Sequence, residues 1–310
     1  MKADRPLLGI ALMLGFCVLA PVGDSIAKLL GDRISVVQLV TIRFAIQVLI
    51  LLPLIWLSGR TLRVSGRVFV LTLLRTGLHI VGIGAMFLSL RFLPIADAVA
   101  IAFVMPFIML LLGKTILNEE VGRYRLAACA VGFIGTLLVI QPNFTLVGLP
   151  ALLPLLVAVV FAFFMLVTRQ IAKACDPISL QAISGLMAIV ILLPMWSVGI
   201  RQRWPGFDFT NPVGTDWMLL VMLGGLGTGA HLLMTWSLRF APSATLAPMQ
   251  YLEIPVATFV GWLIFKDLPN GLAAVGIAIT VAAGLYIIYR ERINAVAMHA
   301  KPQAAPSAVE

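Results

Sequence analysis

Residues 90–100 read LRFLPIADAVA and residues 238–248 read LRFAPSATLAP. Each copy of Leu-Arg-Phe-x-Pro closes one long apolar run and opens the next. What the repeat means depends on the solvent around it. Of the 310 residues 61% are hydrophobic and only 11% charged, with a mean hydropathy of +1.06. A soluble domain carries about 25% charged residues. Such a chain has too few polar groups to face water on all sides, and a bilayer is the solvent that fits it. A net charge of +9 in a soluble protein would point to nucleic acid. Here the basic residues are scattered in short gaps between apolar runs, with no dense cluster and no aromatic platform, which excludes nucleic acid as a partner.

Crossing about 30 Å of hydrocarbon takes about 20 apolar residues in a helix. Working outward from the two echoes, runs of that kind lie at 7–30, 35–58, 68–90, 95–117, 123–141, 148–170, 178–199, 216–239, 244–265 and 271–289. The expected fold class is therefore an all-α integral membrane protein with ten transmembrane helices. Backbone groups in lipid need partners within their own segment or in a closed barrel, and the runs neither alternate nor have barrel-strand length. The first of them, in MKADRPLLGIALMLGFCVLAPVGDS, imitates a secretory signal. Pro21, placed just beyond the small residues, disfavours cleavage and makes it an uncleaved first span. With both termini inside, the inner loops hold the larger share of Lys and Arg, led by Arg60, Arg63 and Arg67. This bias sets orientation in bacterial inner membranes. The Ala/Pro-rich segment 293–310 reads as a disordered cytoplasmic tail.

Further echoes accompany the first. Pro106 answers Pro255, Gly113 answers Gly261, and Thr-Gly followed two residues later by His occurs at 76–79 and 228–231. Five spans per half is an odd number, so the second half enters the membrane from the opposite side. The chain is expected to form two inverted five-helix repeats, 7–141 and 148–289, an organisation of secondary transporters with the substrate near midplane at the repeat interface. The paired Pro-bearing turns, Pro106 and Pro255 within the following spans, and the acidic residues Glu119 and Asp267 after them resemble the EamA family of the drug/metabolite transporter superfamily. The stretches IAFVMPFIMLLLGK, ALMLGFCVLAPVGDSIAKLLG and APMQYLEIPVATFVGWLIF are similar to the bacterial riboflavin transporters of that family. The resemblance implies transport of a small solute without ATP, with no enzymatic activity and no cofactor. The alternative substrates are amino acids or other metabolites and drugs, moved outward. No GxxxxGK[ST] loop is present. Intramembrane-enzyme signatures (GxGD, HExxH, GxSxG) are absent as well, and the loops are too short to hold a receptor's signalling domain.

Polar residues inside the apolar runs carry the functional expectation, because a charge at a helix centre costs roughly 2.5–3.5 kcal/mol on insertion scales. Glu253, near the middle of span nine, is the proton-coupling and substrate-binding candidate, with a permanently protonated structural glutamate as the alternative. Gln250 shares its face, and Pro255 loosens the helix at Tyr251. His79 and His231 sit near midplane in spans three and eight, and Trp236 follows His231. The FAFF cluster (Phe161, Phe163, Phe164) with Tyr251 and Trp236 offers stacking surfaces for a flat ring, and Gln250, Glu253 and the two histidines offer hydrogen bonds to it. The cavity is expected between spans three, four, eight and nine, with one and six behind. Asp24 and Arg43 are expected to form an ion pair in the outer half, and Arg75 is a further gating candidate in the inner half. Lys114 snorkels, Asp97 complements a helix start, and the pairs Gly225/Gly229 and Gly82/Gly84 are expected to let helices approach. The odd, scattered cysteines Cys17, Cys129 and Cys175 make neither a disulfide framework nor a metal knuckle.

Overall fold

The computed structural model describes residues 5–64, 66–140, 149–266 and 271–300. Its elements are α1 (Pro6–Gly31), α2 (Val36–Leu57), α3 (Gly66–Ser89), α4 (Ile95–Ala102), α5 (Met105–Ile116), α6 (Arg123–Ile140), α7 (Leu152–Ala172), α8 (Pro177–Arg201), α9 (Asp216–Phe240), α10 (Ser243–Leu246), α11 (Glu253–Phe265) and α12 (Gly271–Ala300). Among the described residues seven helices are long and apolar enough to cross a membrane: α1, α2, α3, α7, α8, α9 and, over Ala274–Ile293, α12. The expected fourth span is broken into α4 and α5. The expected ninth is broken into α10, a 3-10 stretch at Ala247–Leu252 and α11. Pro255, at the third position of α11, accounts for the second break: it removes a backbone donor and clashes with the preceding turn. The last helix runs to Ala300, through the first part of the segment expected to be disordered from 293. Residues 301–310 lie outside the described residues, as does Asp267.

Two faces of the bundle are identified by the bonds that close them. On one, Arg5 N–H donates to Phe240 O (2.7 Å), Arg60 pairs with Asp176, and Arg239 Nη1 donates to Cys175 O (3.0 Å). On the other, Arg91 Nη2 donates to Ile34 O (2.9 Å) and Arg33 pairs with Asp216 (2.7 Å). Arg60 and Arg201 therefore lie at opposite ends of α8. Burial works against ionisation of Asp176, but hydrogen bonds from Arg60 and the Ser179 N–H outweigh it and hold its carboxyl below the usual range.

The arginines of the two echoes do the same thing in each half. Each reaches the carbonyl two residues before the following even-numbered helix, Ile34 before α2 and Cys175 before α8. Lys28 and Arg169, each three residues from the end of its helix, likewise donate to Leu93 O (3.0 Å) and Leu238 O (2.7 Å). Ser35 and Asp176 cap α2 and α8 from matching positions. The most extensive helix pairings are α1 with α9, α3 with α7, α2 with α8 and α6 with α12. Exchanging the halves turns the first pair into the second and leaves the other two unchanged. The equivalent helices α2 and α8 run antiparallel, since Gln47 meets Gln181 while Arg60 meets Asp176. So do α6 and α12, where Gly135 meets Gly276 and Arg125 meets Glu291. The repeats are inverted.

Several close approaches involve glycine, among them one member of each predicted pair: a Cβ at Gly82 would lie 2.5 Å from Phe161 Cε2, and one at Gly229 would lie 3.6 Å from Leu19 Cδ1, an ordinary contact. Gly225 and Gly84 have nothing within 4 Å of an added Cβ. A Cβ at Gly135 would lie 2.8 Å from the Gly276 carbonyl oxygen and 2.9 Å from Thr280 Cγ2. Overpacking of this kind costs typically about 1–3 kcal/mol, and here a backbone atom must yield. Gly135→Ala is expected to lower the melting temperature of the detergent-solubilised protein by several degrees, whereas Gly84→Ala leaves it unchanged or slightly raised. Equal melting temperatures for the two variants would contradict the tight α6–α12 contact.

Candidate functional site

A cavity lies between the two halves, with about 790 Å³ of space not filled by atoms, part of it open to the surroundings. Its walls come from α1 (Phe16, Ala20, Asp24), α2 (Arg43), α3 (Ile83, Met86, Phe87), α4 and the break after it (Val99, Phe103), α7 (Val157, Phe161, Met165), α9 (Leu223, Gly227, His231) and the first residue of α11, Glu253. At the floor His231 lines the cavity, and His79 of the other half lies beneath it. The rings of His79 and His231 lie 4.3 Å apart at 34°. Phe44 and Phe164 pack on His79 with centroids 5.0 and 4.7 Å away, and Phe16 meets His231 edge-on at 5.8 Å. From this floor the cavity extends toward the Arg33–Asp216 face: Asp24, Arg43, Met86 and Gly227 all lie on that side of the pair.

Arg43 reaches across the cavity because Gly227 has no side chain. A Cβ there would lie 2.5 Å from Arg43 Nε. Its Nη2 lies 3.0 Å from His231 Nδ1 and donates to Gly227 O at 3.4 Å. Arg43 Nη1, His231 Nε2 and both ring nitrogens of His79 are buried with no hydrogen-bond partner among the described residues. A buried polar atom without a partner costs about 1–3 kcal/mol; of these groups Arg43 and His231 line the cavity and His79 does not. Two carboxylates, Asp24 and Glu253, share the cavity with the single arginine. Among the described residues no three His, Cys, Asp or Glu side chains converge as metal ligands would.

The profile of the EamA-like transporter family matches this chain twice, over residues 7–141 and 148–290. The chain belongs to the EamA-like transporter family. Relatives of this EamA-like transporter include the S-adenosylmethionine uptake transporter of Rickettsia felis, 27% identical over 92% of this chain and 94% of that one. The riboflavin transporter of Brucella anthropi is 27% identical over 80% of this chain and 86% of its own. That of Rhizobium johnstonii is 30% identical over 71% and 70%. A crystal structure 19% identical in sequence superposes with a TM-score of 0.73, covering 92% of this chain and 97% of the other, and shows the same fold.

Within the EamA-like transporter's cavity the predicted residues are only partly gathered. His231, Glu253, Asp24 and Arg43 line it, and His79 lies directly beneath. Asp24 and Arg43 face the same space but form no salt bridge within 4 Å. Arg43 spends its contacts on α9 instead. Trp236 is elsewhere: it packs with Leu51, Ile55, Ile178 and Ala182, near the Arg60 face. Tyr251 is fully buried behind the wall, its ring on Gly132 and Phe103 and its hydroxyl donating to Phe103 O at 3.4 Å. Gln250 also sits behind the wall, its amide on Met165 Sδ at 3.2 Å. Tyr251, two residues before Glu253, falls on the far side of the helix at either the α-helical or the 3-10 period. The FAFF cluster divides, with Phe161 and Phe164 buried inward and Phe163 exposed. The helices expected behind the cavity, α1 and α7, form its walls directly. Phe16, Phe87 and Phe103 had no signal in the sequence, since apolar residues fill every span. Gly227, four residues before His231, could have been found as the mate of Arg75 four residues before His79.

Proposed function

We propose that this chain is a secondary carrier with ten spans and both termini on the cytoplasmic side of the inner membrane, taking up riboflavin by alternating access. One observation carries the proposal: the aromatic-walled cavity between inverted halves, into which Arg43 and His231 present unpaired polar atoms. Flat ring systems suit walls of Phe16, Phe103 and Phe161. Ring carbonyls accept from the arginine and the imidazole, and hydroxyls donate to Asp24 and Glu253. The relatives named riboflavin transporters support the choice. The arginine-rich first loop on the Arg60 face supports the orientation. A second reading, S-adenosylmethionine uptake, is favoured by a different feature. Two carboxylates face one arginine, a balance suited to a substrate with net positive charge.

Expression of the chain in a flavin-auxotrophic bacterium is expected to restore growth on micromolar riboflavin. Arg43→Ala is expected to weaken that uptake by roughly 10–150-fold, the value of a hydrogen bond from a charged group. No rescue, with uptake of labelled S-adenosylmethionine into the same cells, moves the assignment to the second substrate. Efflux of amino acids without uptake of either compound overturns the direction as well.

A further inference from the structure

The repeat relation exposes a difference between the two sides of the histidine pair. The step that carries Lys28 onto Arg169 and Ser35 onto Asp176 carries Arg43 onto Ser184. The step that carries His79 onto His231 carries Arg75 onto Gly227. The contact between Arg43 and Gly227 is thus the mirror of the contact between Arg75 and Ser184. Each side has one arginine placed at the same spot, supplied by a different helix.

Their surroundings differ. Arg75 is fully buried. Its Nε donates to Thr168 Oγ1 (2.9 Å), its Nη1 to Ser184 Oγ (2.7 Å), and its Nη2 to Gln181 Oε1 (2.8 Å) and Thr235 Oγ1 (3.3 Å). Its guanidinium lies 4.6 Å over the ring of Phe164. Gln181 is tied further to Gln47 by two bonds, at 2.7 and 3.2 Å. Every one of these contacts joins the first half to the second. The mirror positions of Thr168, Gln181 and Thr235 are Ala27, Val40 and Ile83, none of which can accept a side-chain hydrogen bond. Among the described residues the network exists on one side only, between the histidine pair and the Arg60 face. On the other side the arginine is left with an unpartnered nitrogen, and the cavity stands beside it.

We infer that Arg75 is the gate residue of the carrier: its bonds across the two halves lock the Arg60 side, so the unloaded protein rests with its cavity on the opposite side. Opening toward the Arg60 face requires all four bonds to part together, since the partners lie on α7, α8 and α9 and the arginine on α3. On the other side the halves are joined at the rim, where Arg33 pairs with Asp216 (2.7 Å), Ser35 Oγ donates to Asp208 O (2.9 Å) and Gln38 exchanges two bonds with Thr210 (2.7 and 2.9 Å), but among the described residues no network like that of Arg75 crosses the interior beside the cavity. The resting state then favours capture of substrate from the Arg33–Asp216 side, the direction an importer needs. The lock rests on the carrier reading, but its test requires no substrate.

Two reporters separate a change of state from loss of fold. Thr72, fully buried on α3 and three residues before Arg75 on the Arg60 side, becomes accessible only when that side opens. Gly23 lines the cavity, and an added Cβ there meets nothing within 4 Å. In a background with Cys17, Cys129 and Cys175 replaced by alanine, maleimide is expected to label Gly23→Cys readily and Thr72→Cys slowly. Adding Arg75→Ala should speed labelling of Thr72→Cys at least tenfold and slow that of Gly23→Cys. Gln181→Leu, which removes one partner and unties Gln47, should shift both rates in the same directions by less. Rates that do not change, or that rise together as in an unfolding protein, overturn the inference. If the opposed shifts are found but no flux of any metabolite is, the carrier reading fails and the lock stands. If flux is found without the shifts, the lock alone fails.

Discussion

Glu253→Gln is expected to abolish the dependence of uptake on an imposed proton gradient, while substrate still equilibrates down its own gradient. Glu253 is the first residue of α11, where the chain returns from 3-10 to α-helical geometry, and it is buried on the cavity wall. A charged side chain at that depth costs roughly 2.5–3.5 kcal/mol on insertion scales. When the walls close over the cavity and remove its water, the carboxylate must take a partner or a proton. Substrate contact and protonation are then coupled through one group. Glutamine keeps the shape and the hydrogen-bonding capacity but carries no proton, so the shape-dependent part of transport survives and the coupled part does not. Asp24 is the control. It is half-buried and shares the cavity with Arg43, so Asp24→Asn is expected to weaken binding without removing the response to the gradient. The measurement is uptake into proteoliposomes with and without an imposed pH difference. Undiminished gradient dependence in Glu253→Gln rules out its role as proton carrier, and loss of that dependence in Asp24→Asn transfers the role.

Sequence legibility followed the physics of each feature. Apolar runs and the Leu-Arg-Phe-x-Pro echo revealed the membrane class and the inverted repeat, because lipid imposes length and helicity on every segment and leaves little room for exceptions. His79, His231 and Glu253 were legible because ionisable groups are rare in such runs. The Arg75 lock was not. Its partners Thr168, Gln181, Ser184 and Thr235 are small or neutral residues that satisfy themselves within a helix as easily as they bridge between helices, and a sequence does not say which. Tyr251 and Trp236 were misplaced for a related reason. An aromatic ring two residues from a polar one, as Tyr251 is from Glu253, faces away from it in either helical geometry, and one such as Trp236 turns away when a neighbouring pair of helices, here α2 and α8, offers a better apolar seat. Asp24 and Arg43 were paired on charge alone, whereas the room left by Gly227 draws the guanidinium to α9.

Glu119→Ala is expected to destabilise the protein by about 3–5 kcal/mol, the penalty for breaking a buried, hydrogen-bonded ion pair from one side. Glu119 follows α5 in the first half, where its N–H donates to Gly113 O (3.0 Å), yet its carboxylate reaches into the second. Its carboxylate accepts from Ser243 N (3.1 Å), Ser243 Oγ (2.6 Å) and Ala244 N (2.9 Å), and Arg169 Nε lies 3.4 Å away. The side chains of Arg169 and Glu119 are only 10% and 11% exposed. The acceptor lies where α10 begins, at the serine that follows the second echo's proline, so its removal strands two backbone donors and a guanidinium together. Arg169 keeps its bond to Leu238 O (2.7 Å), which limits the loss to the lower part of the range if the arginine turns fully toward it. Glu119→Gln, which retains an acceptor oxygen but no charge, is expected to fall between. Glu120→Ala, at the exposed neighbour, should stay within about 0.5 kcal/mol of the parent. Thermal unfolding in detergent orders the three variants. A double-mutant cycle with Arg169→Ala separates the ion pair from the cap: coupling below about 0.5 kcal/mol would mean that the carboxylate acts on the backbone of α10 alone. Because the contact joins the end of one half's broken span to the start of the other's, it holds the Arg60 side together at the rim while Arg75 holds it in the interior. Glu119→Ala should therefore also raise the labelling rate of Thr72→Cys at temperatures where the protein remains folded.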